Sequence, residues 1–305
     1  MEAALPEQAV DRLRYVPNQR TRTLPASRTE SVGVVVPQPG SDFFVDRQMA
    51  RLLRGIHEEL SANGLQMLLF APQSPADVQR LEQYLVGGHV DAVLFLAMHE
   101  SDHLPARLRA RGIPMVFGGR PLQSGDVSFV DVDNHAGGRT ATEHLIEQGR
   151  RRIAHIGGPA HSSEARARLQ GFREAMWTAA LRSDFIEYGN LDRDSGEMAM
   201  GRLLAAADAV DAVFAASDAM AAGAMWTLQV LGRRVPDDVA VIGFDDSPIA
   251  SATQPRLSSI RQPVEDMGRE MAKLVVDMST VHDRAPRQMV LSPKLSVRES
   301  TVTSR

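Results

Sequence analysis

Short apolar runs alternate with amphipathic stretches along most of the chain from Ser31 onward. The first three apolar runs are VGVVVP, LQMLLFA and DAVLFLAM, and helical patterns lie between them, from Phe43 to Asn63 and from Asp77 to Val86. Strands that alternate with helices in this way are typical of parallel βαβ units. The alternation continues through IPMVFGG, RRIAHIGG, DFIEYGN and DAVFAAS to VAVIGF. The pattern therefore predicts an α/β protein built on parallel sheets.

Capping residues mark where several of these helices begin and end. Polar residues suited to a helix start are Asp42, Ser101, Ser162 and Ser195. Residues suited to a helix stop are Asn63, Gly112, Gly149 and Gly232. VAVIGF delivers Asp245 and Asp246 to the carboxyl end of a strand, where open α/β sheets bind ligands.

The number of predicted strands exceeds what one compact α/β unit of ordinary size contains. We therefore predict two domains, with the boundary near the segment GGPAH at 157–161. After Ile260 the chain has one more helical pattern, from Val264 to Met278, and two β-like runs, RQMVLS and KLSVRES.

Composition narrows the class of protein. A chain of 305 residues with 43% hydrophobic content can form two packed domains. No apolar run approaches the length of a membrane span, and the first residues, MEAALPEQAVDRLRY, lack the apolar core of a secretory signal. These features predict a cytoplasmic protein with no membrane partner. With no cysteine and a net charge of −4, the chain has no thiol chemistry, and any contact with DNA must be local.

The enzyme motifs in the sequence are weak. HESDH, from His99 to His103, matches the zinc-peptidase pattern, but His99 should lie in a loop, before helical spacing begins. No P-loop and no serine nucleophile elbow occurs. The sequence therefore predicts no metal, no cofactor and no catalytic residue, with an enzyme on the same sheet as a less favoured alternative.

Five further motifs follow one another along the chain: VGVVVPQPGSDFF, VDVDNHAGGRTATEHLIEQGRRRIAHIGGP, RLQGFREAM, ASDAMAAGAMWTLQVLGRRVPDDVAVIGFDD and PRLSSIRQP. This series resembles the lactose-repressor (LacI/GalR) family of ligand-responsive transcription regulators, from about Val10 to Ser300. The resemblance implies two similar doubly wound parallel-sheet subdomains, of the periplasmic-binding-protein-like type I kind, that enclose a ligand cleft. It implies an N-terminal core subdomain of residues 31–159 and 261–289 and a C-terminal one of residues 160–260 and 290–305.

The resemblance also implies a small effector, with a sugar as the favoured class. The residues that match effector-binding positions are Phe43, Phe44, Asp133, Arg168, Ser217, Asp245 and Gln262. Arg168 matches an arginine that holds ligand oxygens, and Asp245 matches a carboxylate that accepts hydrogen bonds from vicinal hydroxyls. Core packing for one phenylalanine, helix capping by Asp133 and a hinge role for Gln262 are the alternatives. Asp246 is expected to be structural and Asp218 to cap a helix. Leu191 stands where some sugar-binding relatives place a stacking aromatic ring.

Residues 1–30 resemble the remnant of a DNA-binding headpiece followed by the family's hinge. Only the last helix of the headpiece has a counterpart, LRYVPNQ, and NQRTRTLPASRTE corresponds to the hinge. The hinge residues implied to contact DNA are Asn18, Arg20, Arg22 and Leu24, with Leu24 as a minor-groove wedge. The resemblance implies a homodimer that binds operator DNA through an intact headpiece. A basic terminus in solution, or a free-standing sugar-binding module without DNA binding, is the alternative.

Overall fold

The strands of the chain assemble into two six-stranded sheets in the computed structural model, which describes residues 28–36, 47–96, 103–121, 127–206, 210–280 and 285–302. The first sheet contains β1 (Ser31–Val35), β2 (Gln66–Phe70), β3 (Ala92–Leu96), β4 (Met115–Gly118), β5 (Ser128–Val132) and β11 (Gln288–Leu291). The second contains β6 (Ile153–Gly157), β7 (Ile186–Tyr188), β8 (Ala212–Ala215), β9 (Ala240–Asp245), β10 (Ser258–Arg261) and β12 (Lys294–Ser296).

The two sheets have the same strand order. It is β11-β5-β4-β3-β1-β2 in the first and β12-β10-β9-β8-β6-β7 in the second. All pairings are parallel except that of β12 with β10, which is antiparallel. The predicted fold class, two similar doubly wound parallel-sheet subdomains, is confirmed.

Helices cover both faces of each sheet. Those of the first subdomain are α1 (Arg47–Ala62), α2 (Pro75–Val86), α3 (Leu104–Ala110) and α9 (Val264–Thr280). Those of the second are α4 (Asn134–Glu147), α5 (Ser163–Thr178), α6 (Arg193–Ala206), α7 (Asp218–Val230) and α8 (Pro248–Ala252). Two apolar clusters bury each sheet between its helical layers. No helix within the described ranges is long and apolar enough to cross a membrane.

The chain passes between the subdomains earlier than the sequence predicts. The predicted boundary at 157–161 follows β6, but β6 already pairs with β7 and β8 of the second sheet, and α4 packs on α5. The first crossing therefore lies between Val132 and Asn134. The glycines of GGPAH mark the loop at the end of β6, within the second subdomain, and not a linker between the subdomains. The other crossings follow β10 at Gln262 and follow β11, which extends to Leu291 rather than ending at 289.

Two predicted helix starts can be compared with the structure. Ser162 caps α5, since its hydroxyl accepts a hydrogen bond from the Ala165 amide at 3.1 Å. Helix α6 begins at Arg193, before the predicted start at Ser195, because Asp192 accepts the Ser195 amide at 2.8 Å. Asp42 and Ser101 lie outside the described residues.

Three helix pairs pack closely through glycines that face each other. The pairs are Gly55 of α1 with Gly268 of α9, Gly138 of α4 with Gly171 of α5, and Gly196 of α6 with Gly223 of α7. A Cβ atom at any of the six would lie closer than 3.0 Å to a backbone atom of the facing helix. Because side-chain size sets the distance between helix axes, these glycines permit an approach that alanine would prevent.

Candidate functional site

Arg168 is a buried arginine on α5, only 7% exposed. Its Nε donates to Asn134 Oδ1 at 2.9 Å, and its Nη1 donates to the Ala216 carbonyl at 2.5 Å. Its guanidinium carbon lies 3.7 Å from the centroid of the Phe244 ring. Burial lowers the pKa of Arg168, while the charge of Asp245 opposes that shift; an arginine nevertheless stays protonated in proteins. The side chain is thus a fixed cation at the carboxyl ends of β8 and β9.

Asp245 ends β9 beside this cation. Its Oδ1 lies 3.8 Å from Arg168 Nη1 and accepts a hydrogen bond from Gln262 Nε2 at 2.6 Å. Its backbone carbonyl accepts a hydrogen bond from Gln48 Nε2 of α1 at 2.7 Å. Asp245 therefore links the second sheet to the crossing at Gln262 and to the first subdomain. With 25% of its side chain exposed, the carboxylate remains accessible to a ligand.

Asp246 forms ion pairs with other arginines than the one beside Asp245. Asp245 and Asp246 both have left-handed backbone angles, with φ of 106° and 51°, a strain of about 1–3 kcal/mol for each residue. The Asp246 side chain is 4% exposed and lies 2.6 Å from both Arg261 Nε and Arg298 Nη2. Burial alone would raise the pKa of Asp246, but these arginines outweigh it and lower the pKa. The expected structural role of Asp246 agrees with this geometry.

Asp218 is buried at 1% exposure and connects three segments of the second subdomain. It accepts hydrogen bonds from the Ser247 amide at 2.6 Å and from the Ser259 hydroxyl at 2.5 Å. The expectation that Asp218 caps a helix is wrong, because Ser217 caps α7 by accepting the Met220 amide at 3.2 Å. Burial, together with the charge of Asp245, raises the pKa of Asp218 to about 7.

Replacing Asp218 with asparagine should flatten the pH dependence of stability. The folded pKa lies above the unfolded value, so the folded state holds a proton that the unfolded state releases between about pH 4 and pH 7. The unfolding free energy of the wild type should therefore fall as pH rises through this window, by at most about 1.4 kcal/mol per pH unit. Urea unfolding from pH 4 to pH 8 measures the slope. Parallel profiles for wild type and Asp218→Asn would contradict this assignment.

The remaining predicted site residues divide into two groups. Asp133 caps α4 by accepting the Ala136 amide at 2.8 Å, and the Ser217 hydroxyl donates to the Leu191 carbonyl at 3.2 Å. Both therefore have local structural roles at the strand ends. The other group lies outside the described residues: Phe43, Phe44, Asn18, Arg20, Arg22 and Leu24.

The HESDH motif is described only at its last residue. His103 precedes α3 and makes no capping hydrogen bond through its side chain. Within the described ranges, no group of three histidine, aspartate or glutamate side chains is arranged to hold a metal ion.

The fold is that of a periplasmic-binding-protein-like protein, with two doubly wound subdomains, three crossings between them and a polar cluster at the strand ends. Residues 142–301 match the family model of the periplasmic binding protein-like domain. The transcriptional regulator CelR of Thermobifida fusca is 46% identical over 96% of this chain and 88% of that protein. The ribose operon repressor of Escherichia coli strain K12 is 30% identical over 96% of this chain and 89% of that protein.

Solved structures agree with these relatives. A complex of CelR with cellobiose has a TM-score of 0.85 at 44% identity and covers 98% of this chain and 91% of that chain. A LacI-family regulatory protein from Chloroflexus aggregans has a TM-score of 0.81 at 30% identity, with 90% of this chain and 99% of that chain covered. The chain belongs to the LacI/GalR family of transcriptional regulators. Because relatives that match along most of their length are named regulators, it is a regulator and not an enzyme.

Proposed function

We propose that this chain is a cytoplasmic, sugar-responsive regulator that binds its effector at Arg168 and Asp245 and controls operator DNA as a homodimer. The observation that carries the proposal is the fixed pair of Arg168 and Asp245, 3.8 Å apart where the two subdomains meet. The CelR structure, a cellobiose complex, supports a sugar as the ligand.

The chemistry of the pair suits vicinal hydroxyl groups. A hydroxyl both donates and accepts a hydrogen bond, so a sugar can donate to the Asp245 carboxylate and accept from the Arg168 guanidinium. Hydrogen bonds to ionised groups are shorter and stronger than those between neutral groups. Gln262, which already donates to Asp245, would orient the carboxylate. Asp133 and Ser217 would complete the polar lining, and Phe43 and Phe44 would supply apolar contact.

Ligand binding would act through contacts that join the subdomains. Asp245 is tied to α1 through Gln48 and to the second crossing through Gln262. A sugar that forms hydrogen bonds with Asp245 would therefore favour the relative orientation of the subdomains in which those bonds are best made. In a homodimer, this orientation would set the spacing of the two hinges, including Asn18, Arg20, Arg22 and Leu24, on operator DNA.

Calorimetric titration with glucose, ribose, cellobiose, cellotriose and hypoxanthine tests the ligand class. We expect one saturable sugar site per chain, with cellobiose or a related glucoside as the best ligand. Sugar at a hundred times its dissociation constant should add about 2.7 kcal/mol to the unfolding free energy. No binding across the panel by folded protein would contradict the proposal. Saturable binding with no ligand-dependent change in small-angle X-ray scattering would contradict the proposed coupling of the sugar to the orientation of the subdomains and would instead favour a sugar-binding module without DNA control.

A further inference from the structure

A side pocket of about 370 Å³ lies at the carboxyl ends of β6 and β7, further along the second sheet than the cluster around Arg168. It is formed by the loop that follows β6, the turn that follows β7 and one face of α6. The side chains around it include His161, Tyr188, Asn190 and Met198. Pockets that bind small molecules usually measure about 300–1,000 Å³, so the side pocket is large enough for part of a ligand.

The crossings between the subdomains lie on one side of the cleft at Arg168. They follow β5, β10 and β11, and these strands lie at or next to the same edge of their sheets. The opposite edges are formed by β2 and β7. A ligand too long for the cleft would therefore extend away from the crossings, over the carboxyl end of β6 and toward β7.

The turn after β7 connects the cleft with the side pocket. The Leu191 carbonyl accepts a hydrogen bond from the Ser217 hydroxyl at 3.2 Å, and the preceding residue, Asn190, lines the side pocket. The Ser195 hydroxyl accepts a hydrogen bond from the Asn190 amide at 2.9 Å, and Asp192 accepts one from the Ser195 amide at 2.8 Å. Because these bonds fix the turn before a ligand arrives, binding there would lose little free energy to ordering of the turn.

The lining of the side pocket suits a sugar ring. Tyr188 and Met198 are 49% and 60% exposed, so their apolar atoms can pack against the C–H groups of a pyranose. The exposed side chains of His161 and Asn190 can donate hydrogen bonds to sugar hydroxyls and accept hydrogen bonds from them. The guanidinium group of Arg202 lies 2.7 Å from a carboxylate of β7, which balances its charge. The pocket therefore favours a neutral polyhydroxyl group over an anion.

We propose that the side pocket binds the third unit of an oligosaccharide whose first two units occupy the cleft at Arg168 and Asp245. The proposal rests on the sugar-binding function proposed above for that cleft. From β9 through β8 and β6 to β7 the sheet spans three strand spacings, or about 14 Å. This distance is longer than a disaccharide and close to the length of a trisaccharide. Leu191, which is 38% exposed, lies between the two ends and would contact the middle unit.

Calorimetric titration of the full chain with glucose, cellobiose, cellotriose and cellotetraose tests the proposal. We expect cellotriose to bind about tenfold more tightly than cellobiose, and cellotetraose to gain little more, because the side pocket holds one unit. The double variant Asn190→Ala, Met198→Ala should lose this preference for cellotriose and keep the wild-type affinity for cellobiose. Gln170→Ala with Thr178→Ala shortens two exposed side chains of α5 outside the pocket and should keep the preference.

The outcomes distinguish failure of the third subsite from failure of the sugar-binding function. If the folded protein bound none of the four sugars, both would be overturned. If it bound cellobiose, and cellotriose no more tightly, only the third subsite would be overturned. Equal weakening of cellobiose and cellotriose in Asn190→Ala, Met198→Ala would also overturn it, because these residues would then act on the cleft itself. The same loss of preference in both double variants would show that the preference does not arise in the side pocket.

Discussion

Replacing Gly196 with alanine should destabilise the protein by about 2 kcal/mol or more, although alanine ordinarily favours a helix over glycine. The added Cβ atom would meet the backbone of Met220 on α7 at less than 3.0 Å. A backbone contact cannot be relieved by a rotamer change, so α6 and α7 would have to separate. Overpacking of this kind costs about 3 kcal/mol at the upper end of its usual range, and helix propensity returns about 1 kcal/mol of that.

Gly201 provides the matched control on the same helix. A Cβ atom built there has no heavy atom of another segment within 4 Å. Gly201→Ala should therefore stabilise the protein by about 0.5–1 kcal/mol through helix propensity alone. Urea unfolding of the two variants gives the comparison. A change of the same sign in both variants would mean that the close approach of α6 and α7 does not control the effect.

Replacing Asp245 with asparagine should weaken sugar binding at least thirtyfold, or about 2 kcal/mol. The amide has nearly the size of the carboxylate, but its nitrogen cannot accept a hydrogen bond from a sugar hydroxyl. The contact of Gln262 with Oδ1 can persist, and at 3.8 Å no hydrogen bond to Arg168 is lost. Arg168 loses its nearest counter-charge, so stability should fall, but less than in a variant that breaks two close ion pairs. Titration with the sugar that binds the wild type best in the panel measures the loss. Unchanged affinity in a folded variant would remove Asp245 from the proposed effector site.

Asparagine at Asp246 should instead lower the stability of the fold more than it lowers the affinity for sugar. Asp246→Asn would leave Arg261 and Arg298 facing a neutral group in a largely buried position. Removing one partner of such an ion pair costs about 3–5 kcal/mol when the pair is fully buried, and less here because Arg261 is partly exposed. Comparing the two asparagine variants in unfolding and titration separates a ligand-binding carboxylate from a structural one. If both variants lost only stability, Asp245 would be structural too.

The apolar pattern predicted most strands but missed β5 and β10. In both sequences, SFVDV and SSIR, polar residues interrupt the apolar run, and the structure buries their serines, Ser128, Ser258 and Ser259. Ser258 and Ser259 can be buried because distant groups satisfy their hydroxyls: the carbonyl of Arg298 and the carboxylate of Asp218. The residues adjacent to these serines in the sequence give no indication of these distant hydrogen-bond partners. The missed strand β5 directly precedes the first crossing, and the predicted boundary at 157–161 lies one strand too late.

The motifs singled out Arg168, Asp245 and Gln262, and the structure places these three side chains together. They did not indicate the role of Asp218, because a serine followed by an aspartate at a helix start is typical of a cap. They also did not indicate that Gln48 of α1 donates a hydrogen bond to the Asp245 carbonyl, because α1 and the end of β9 meet only when the two subdomains are folded side by side.

The sequence by itself determined the secondary structure of most segments and the α/β class, because periodicity and capping are local properties of the chain. The two-subdomain architecture and the candidate residues at the strand ends came from the resemblance of its motifs to those of a family. Only the tertiary structure decided which distant residues meet. The pairing of Asp218 with Ser259, the facing glycines of α6 and α7 and the separate partners of Asp245 and Asp246 all depend on it. The physical reason is that burial, hydrogen bonding and charge pairing depend on distances between elements, which packing sets and sequence separation does not reveal.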